Sequence, residues 1–159
     1  MKRSIQRLST VVALAAIVMF SACSKTEELP SNVIEDATGI NVDLDWTTGG
    51  SSVAATQEAD LDLYFYKDGT EIEALSSASF SSFERTEFNS ALYADGEYIV
   101  KVSFFSASKD VDFTLTVNGR QTSKPLQYTG SFAAETEMDT EIEVVKVVKS
   151  GSKYTVTEL

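Results

Sequence analysis

From Ile40 onward the chain alternates apolar and polar residues with a period of two. Ile40, Val42, Leu44 and Trp46 fall on one side, and Asn41, Asp43, Asp45 and Thr47 on the other. That is the pattern of a strand with one face in a core and one in water. A Gly-, Ser- and Thr-rich stretch, Thr47 to Ala59, reads as a loop. Leu61, Leu63 and Phe65 then alternate with Asp60, Asp62, Tyr64 and Tyr66, and Asp68-Gly69 predicts a tight turn. Ile72 and Leu75 mark a short strand, Ser76 to Ser82 a serine-rich loop carrying Phe80, and Phe83 to Phe88 another strand. Asp95-Gly96 leads into Glu97 to Phe105, with Tyr98, Val100, Val102 and Phe104 on one face. Ser106 to Asp110 turns back into Val111 to Val117, which predicts a hairpin closed by a further turn at Asn118-Gly119. Beyond Pro125 the pattern is less regular until Thr140–Lys149, after which a Ser150-Gly151-Ser152 turn returns the chain through Tyr154 and Val156. No helical periodicity of useful length occurs after the N-terminal stretch. Short alternating strands at this spacing, about eight of them, predict an all-β fold: a single antiparallel β-sandwich over residues 39–159.

The N-terminal stretch obeys other rules. Lys2, Arg3 and Arg7 precede an unbroken apolar run, Val11 to Phe20, and the small residues Ser21 and Ala22 follow. This is the layout of a cleaved export signal over residues 1–22, and the run is shorter than the roughly 20 residues a spanning helix needs. The Phe20-Ser21-Ala22-Cys23 segment resembles the lipobox of bacterial lipoproteins, and Cys23 is the chain's one cysteine. The resemblance implies acylation of Cys23, anchorage to the cell envelope through the lipid, and a place at the outer membrane of a Gram-negative bacterium, facing the periplasm or the surface. The alternative is a secreted soluble protein with a cysteine near its cleavage site. Residues 23–38, polar, acidic and broken by Pro30, read as the lipidated Cys and a flexible tether.

Charge narrows the partners. With the signal removed, ten basic residues face 24 acidic ones, a formal charge of −14. Nucleic acid, whose phosphates call for Lys and Arg, is excluded as a partner. Electrostatic docking on anionic lipid is excluded on the same ground, which leaves the acyl group as the membrane contact. There is no histidine, so Ser-His-Asp chemistry and Cys/His zinc sites are excluded as well.

Two segments resemble the bacterial pre-peptidase C-terminal domain. Ala59-Asp60-Leu61-Asp62-Leu63-Tyr64-Phe65-Tyr66 is similar to that family's D-x-D-L-Y strand. Asp95-Gly96-Glu97-Tyr98-Ile99-Val100-Lys101-Val102, with Asp112-Phe113-Thr114-Leu115-Thr116-Val117, is similar to its G-x-Y-x-V-x-V and Y-x-L-x-V pair, Phe113 standing in for the tyrosine. The resemblance covers about residues 40–118 and implies a jelly-roll-like sandwich, an accessory module tied to binding or secretion, with calcium or extracellular polymers as ligands of related sandwiches.

The candidate site residues follow from the faces. Asp60 and Asp62 share a strand face, as do Asp43 and Asp45, and Asp68 sits at the next turn. Calcium takes six to eight oxygens, so carboxylates from two strand ends are candidate ligands, Asp60 and Asp62 first; the plain alternative is a solvated outer face. Tyr64 and Tyr66, on that face, are candidates to stack on a sugar or simply to pack across strands. Glu135, Glu137, Asp139, Glu141 and Glu143 alternate; on one strand they would make a cation patch or an edge too charged to pair. Phe80 reads as a lid over the core before a ligand contact, and Trp46 as core. The expected function is a non-catalytic, lipid-anchored binding or adhesion module with calcium or an extracellular glycan as ligand. The alternative is a structural or accessory subunit that meets another envelope protein through the sandwich.

Overall fold

The computed structural model describes residues 29–159; the stretch expected to be a cleaved signal (1–22) and the expected lipid attachment site Cys23 lie outside the described residues. Ten strands make two antiparallel sheets. In chain order they are β1 (Val33–Glu35), β2 (Gly39–Thr47), β3 (Ala59–Lys67), β4 (Thr70–Glu71), β5 (Phe83–Asn89), β6 (Gly96–Ala107), β7 (Val111–Gly119), β8 (Leu126–Phe132), β9 (Thr140–Ser150) and β10 (Lys153–Glu158). One sheet runs β1-β10-β9-β6-β3-β4 and the other β5-β2-β7-β8. Their inner faces enclose the core, so the period-two pattern does what it predicts. Ile40, Val42, Leu44 and Trp46 of β2, Leu61, Leu63 and Phe65 of β3, and Tyr98, Val100, Val102 and Phe104 of β6 are all buried. The ring of Phe88 is the hub at one end, with Tyr93 and Tyr98 centroids both at 4.8 Å and Tyr154 at 5.9 Å. Such tilted and edge-on pairs each add about 0.5–1.5 kcal/mol beyond the area they bury.

Several local expectations are corrected. The segments 97–105 and 111–117 are not a hairpin: β6 pairs with β3 and β9, whereas β7 pairs with β2 and β8 in the other sheet. Alternation reports which side faces the core, and it is the same whether two strands pair or face each other across the sandwich. Asn118 and Gly119 are not a turn but the end of β7, opposite Asn41 and Ile40. The irregular stretch after Pro125 contains β8, hidden because one of its inward positions is Gly130, whose missing Cβ leaves room for the Phe113 ring. The loop after β2 contains α1 (Ser52–Glu58), N-capped by the Ser51 side chain on the Ala54 amide. Around Ile72 and Leu75 the chain makes a 3₁₀ turn, Glu73–Leu75, rather than a strand.

The expected tether ends sooner than residue 38. Val33 and Ile34 are buried, and β1 pairs with β10 in register Ile34↔Tyr154. Asp36 is buried too. Its carboxylate accepts from the amides of Thr38, Gln121 and Thr122 at 2.6–2.9 Å and from the Thr38 hydroxyl at 2.6 Å. The local composition is acidic, yet Asp36, Thr38 and Asn32 each find a structural partner.

Both sheets have two edges, and the connection between β4 and β5 closes one side of the sandwich. Ser77 bridges Leu63 of β3 with two backbone bonds of 2.8 and 2.9 Å. The Thr86 hydroxyl donates to the Leu75 carbonyl at 2.8 Å, and the hydroxyls of Ser77 and Ser79 donate to the buried Glu84 of β5. The serine-rich loop is therefore a strap that stitches the two sheets together.

Candidate functional site

The strap also shapes the surface where the candidate residues lie. Asp60, Asp62, Tyr64 and Tyr66 point outward from β3, as their alternation requires, but that face is not simply bathed in water. Asp62 is only 8% exposed, and Ser103 opposite it on β6 is buried. The end of the strap and β6 place Phe80 and Phe105 beside the two carboxylates, forming an open notch of about 140 Å³ lined by Asp60, Asp62, Ala78, Ser79 and the two rings. A larger hollow of about 430 Å³ continues from Asp60 past α1 and the end of β6.

Electrostatics makes this notch unusual. Burial raises the Asp62 carboxyl to about 6, helped by the Asp60 charge and, further off, by Glu84 and Asp139; the Tyr64 hydroxyl, donating at 3.3 Å, offsets part of the shift. Asp60 is raised for the same two kinds of reason, burial and then the charge of Glu84. One oxygen of Asp60, Oδ1, is buried without a hydrogen-bond partner. Two carboxylates thus sit side by side, short of water, and no Lys or Arg among the described residues bonds to either.

Tyr66 belongs to a different cluster. Its hydroxyl donates to Glu141 at 2.8 Å, and the Lys101 ammonium lies 4.4 Å from its ring centroid while also bonding Glu141 at 3.1 Å and Glu143 at 3.4 Å. Burial and the neighbouring acids push both tyrosine hydroxyls up to about 12. The structure brings Asp60, Asp62 and Tyr64 together; Tyr66 lies farther along β3 with one ring face occupied by Lys101.

The other candidates separate. Asp43 is on β2 in the opposite sheet, where Arg85 clasps it with two bonds of 2.5 and 2.7 Å. Glu135, Glu137 and Asp139 precede β9 in a loop, and only Glu141 and Glu143 are on the strand, so the five acids do not line one face. Phe80 is no lid over the core: it is 87% exposed. Phe105 is the residue that sequence reasoning missed for this site, and Phe80, read first as a lid and only second as a ligand contact, lines the notch beside it. The usable signal was a lone aromatic in an otherwise polar serine run, which a core position would not explain.

Among the described residues, no three carboxylate, cysteine or histidine side chains converge as a ready-made metal ligand set. A cation in the notch would take Asp60 and Asp62 from the protein and the balance of its oxygens from water or from a ligand. Another hollow, about 530 Å³, lies on the four-stranded sheet and is lined by Asp45, Trp46, Thr47, Asp112, Phe113, Thr114, Thr129, Gly130 and Ser131. Its two acids, Asp45 and Asp112, have no oxygen that is buried without a partner. Comparison of the chain with protein-family models, with curated proteins and with solved structures gave no significant match to any of them.

Proposed function

We propose that this chain is a non-catalytic binding module of the bacterial cell envelope, lipid-anchored through Cys23, whose binding site is the Asp60–Asp62 notch. The observation that carries the reading is the pair of crowded carboxylates, one with a buried oxygen that has no partner. Holding acids in that state costs stability, and such costs concentrate where a ligand relieves them. A cation does so directly, and calcium, an oxygen-seeking ion able to complete its shell with a ligand's hydroxyls, fits the donor set best. Phe80 and Phe105 then present apolar surface to whatever the ion bridges, as the face of a sugar ring does on a glycan. In this reading the acyl chains hold the module at the membrane and the sandwich carries the notch.

Thermal unfolding in EDTA and in millimolar calcium tests it. A ligand at 100 times its dissociation constant stabilises by about 2.7 kcal/mol, several degrees in melting temperature for this size. The expected result is such a shift in the wild type and none in Asp60→Asn/Asp62→Asn. A wild-type melt that calcium leaves unmoved sinks the calcium reading.

A further inference from the structure

Three of the four sheet edges are shut. β4 is two residues long, and beside it the strap bonds the backbone of β3. β5 carries Glu84, Arg85 and Glu87 and is covered by the same strap through Glu84 and Thr86. β1 has three residues, and its outward carbonyls are capped: Lys124 Nζ donates to Val33 at 2.8 Å and the Thr122 hydroxyl to Glu35 at 3.2 Å. Edges are normally blunted by such devices, because an open row of N–H and C=O groups recruits another strand. β8 has none of them. Its seven residues, Leu126-Gln127-Tyr128-Thr129-Gly130-Ser131-Phe132, include no charge, no proline and no bulge. Among the described residues its backbone bonds to β7 alone.

We propose that β8 is the pairing edge for a second copy of this chain, the two β8 strands running antiparallel about a two-fold axis at Thr129. An isologous contact must complement itself, and this sequence does. About Thr129 the axis sets Tyr128 opposite Gly130 and Gln127 opposite Ser131. An amide facing a hydroxyl is a hydrogen-bonding pair. Charge selects the same place: for a chain with 24 acidic residues, copies approach most readily where neither presents a carboxylate. The inference is independent of the notch, which lies on the other sheet, so either stands if the other fails.

Disulfide trapping in the full-length chain tests the register. Directly opposed residues of antiparallel strands have Cα atoms about 4.5–5.5 Å apart, inside the roughly 4.4–6.8 Å a disulfide accepts. Thr129→Cys, exposed and on the axis, is expected to give a covalent homodimer under mild oxidation. Ser131→Cys alone, its two copies about 14 Å apart, is expected to give at least about tenfold less, and the unsubstituted chain with Cys23 only is the background. Adding Gln127→Glu/Ser131→Glu to Thr129→Cys sets like charges opposite each other and should abolish the dimer, whereas Gln127→Glu/Ser131→Lys should restore it. A homodimer yield at Thr129 no higher than at Ser131, indifference to the charge pairs, or trapping of a different protein instead of a second copy would each overturn the proposal.

Discussion

At the residue scale, two aspartates point in opposite thermodynamic directions. Asp36 accepts five hydrogen bonds, and they hold its carboxyl far below the ordinary carboxylate range against the opposing effect of burial. The stability it contributes is present above the unfolded value of about 3.9 and is lost as acid protonates it. Asp36→Asn puts an amide N–H against backbone donors and is expected to cost about 2–4 kcal/mol, read from chemical denaturation at pH 7. Asp62 behaves inversely. With a folded value of about 6, the native state holds a proton that the unfolded chain has released between pH 4 and 6. Stability therefore falls as pH rises through that window. Asp62→Asn is expected to stabilise the protein by about 1–2 kcal/mol at pH 7 and to flatten the slope between pH 4 and 6. Denaturation midpoints unaffected by the change would mean that Asp62 is ionised without strain. In sequence both residues are simply acids in polar surroundings, and only the third dimension separates the satisfied one from the crowded one.

At the element scale, the inward faces of the regular strands, β2, β3, β6 and β7, were legible and their partners were not. The alternation of Ile40 to Trp46, or of Tyr98 to Phe104, follows from the pleat itself, whereas pairing depends on which way the chain turns at Ser106–Asp110. β8 escaped detection because Gly130 breaks its inward row, and the 3₁₀ turn at Glu73–Leu75 because a single helical turn has too few residues to show a period. The candidate site was half legible for a related reason. Asp60 and Asp62 stand out by spacing within one strand, but Phe80 and Phe105 reach them through tertiary closure. Glycine at the start of β2 carries a constraint that the pattern did not reveal. Gly39 has φ +124°, and a Cβ there would lie 1.9 Å from the Phe88 carbonyl oxygen. Gly39→Ala is expected to destabilise by at least about 3 kcal/mol, combining a forbidden backbone angle with a backbone clash at the β2–β5 pairing. A thermal melt within about 1 °C of wild type would contradict it.

For the whole molecule the acids act together. An excess of negative charge repels itself in the folded state, in the same direction as Asp60 and Asp62, while Asp36 fails only in strong acid. Stability is therefore expected to peak between about pH 4 and 5.5 and decline on either side. At pH 7 added sodium chloride is expected to raise the melting temperature by screening; a melt lowered by salt would show that ion pairs such as Arg85–Asp43 and Lys149–Asp95 outweigh the repulsion. The order of strands has a kinetic side as well. β1, the first strand, hydrogen-bonds to β10, the last, across more than a hundred residues of chain. Pairings so distant in sequence form late and slowly. A chain emerging N-terminus first holds the buried faces of Val33 and Ile34 without their partner until Tyr154 and Val156 have been made. Through most of its synthesis it stays an unfinished sheet, pliant enough to be threaded onward, and it locks when its two ends meet.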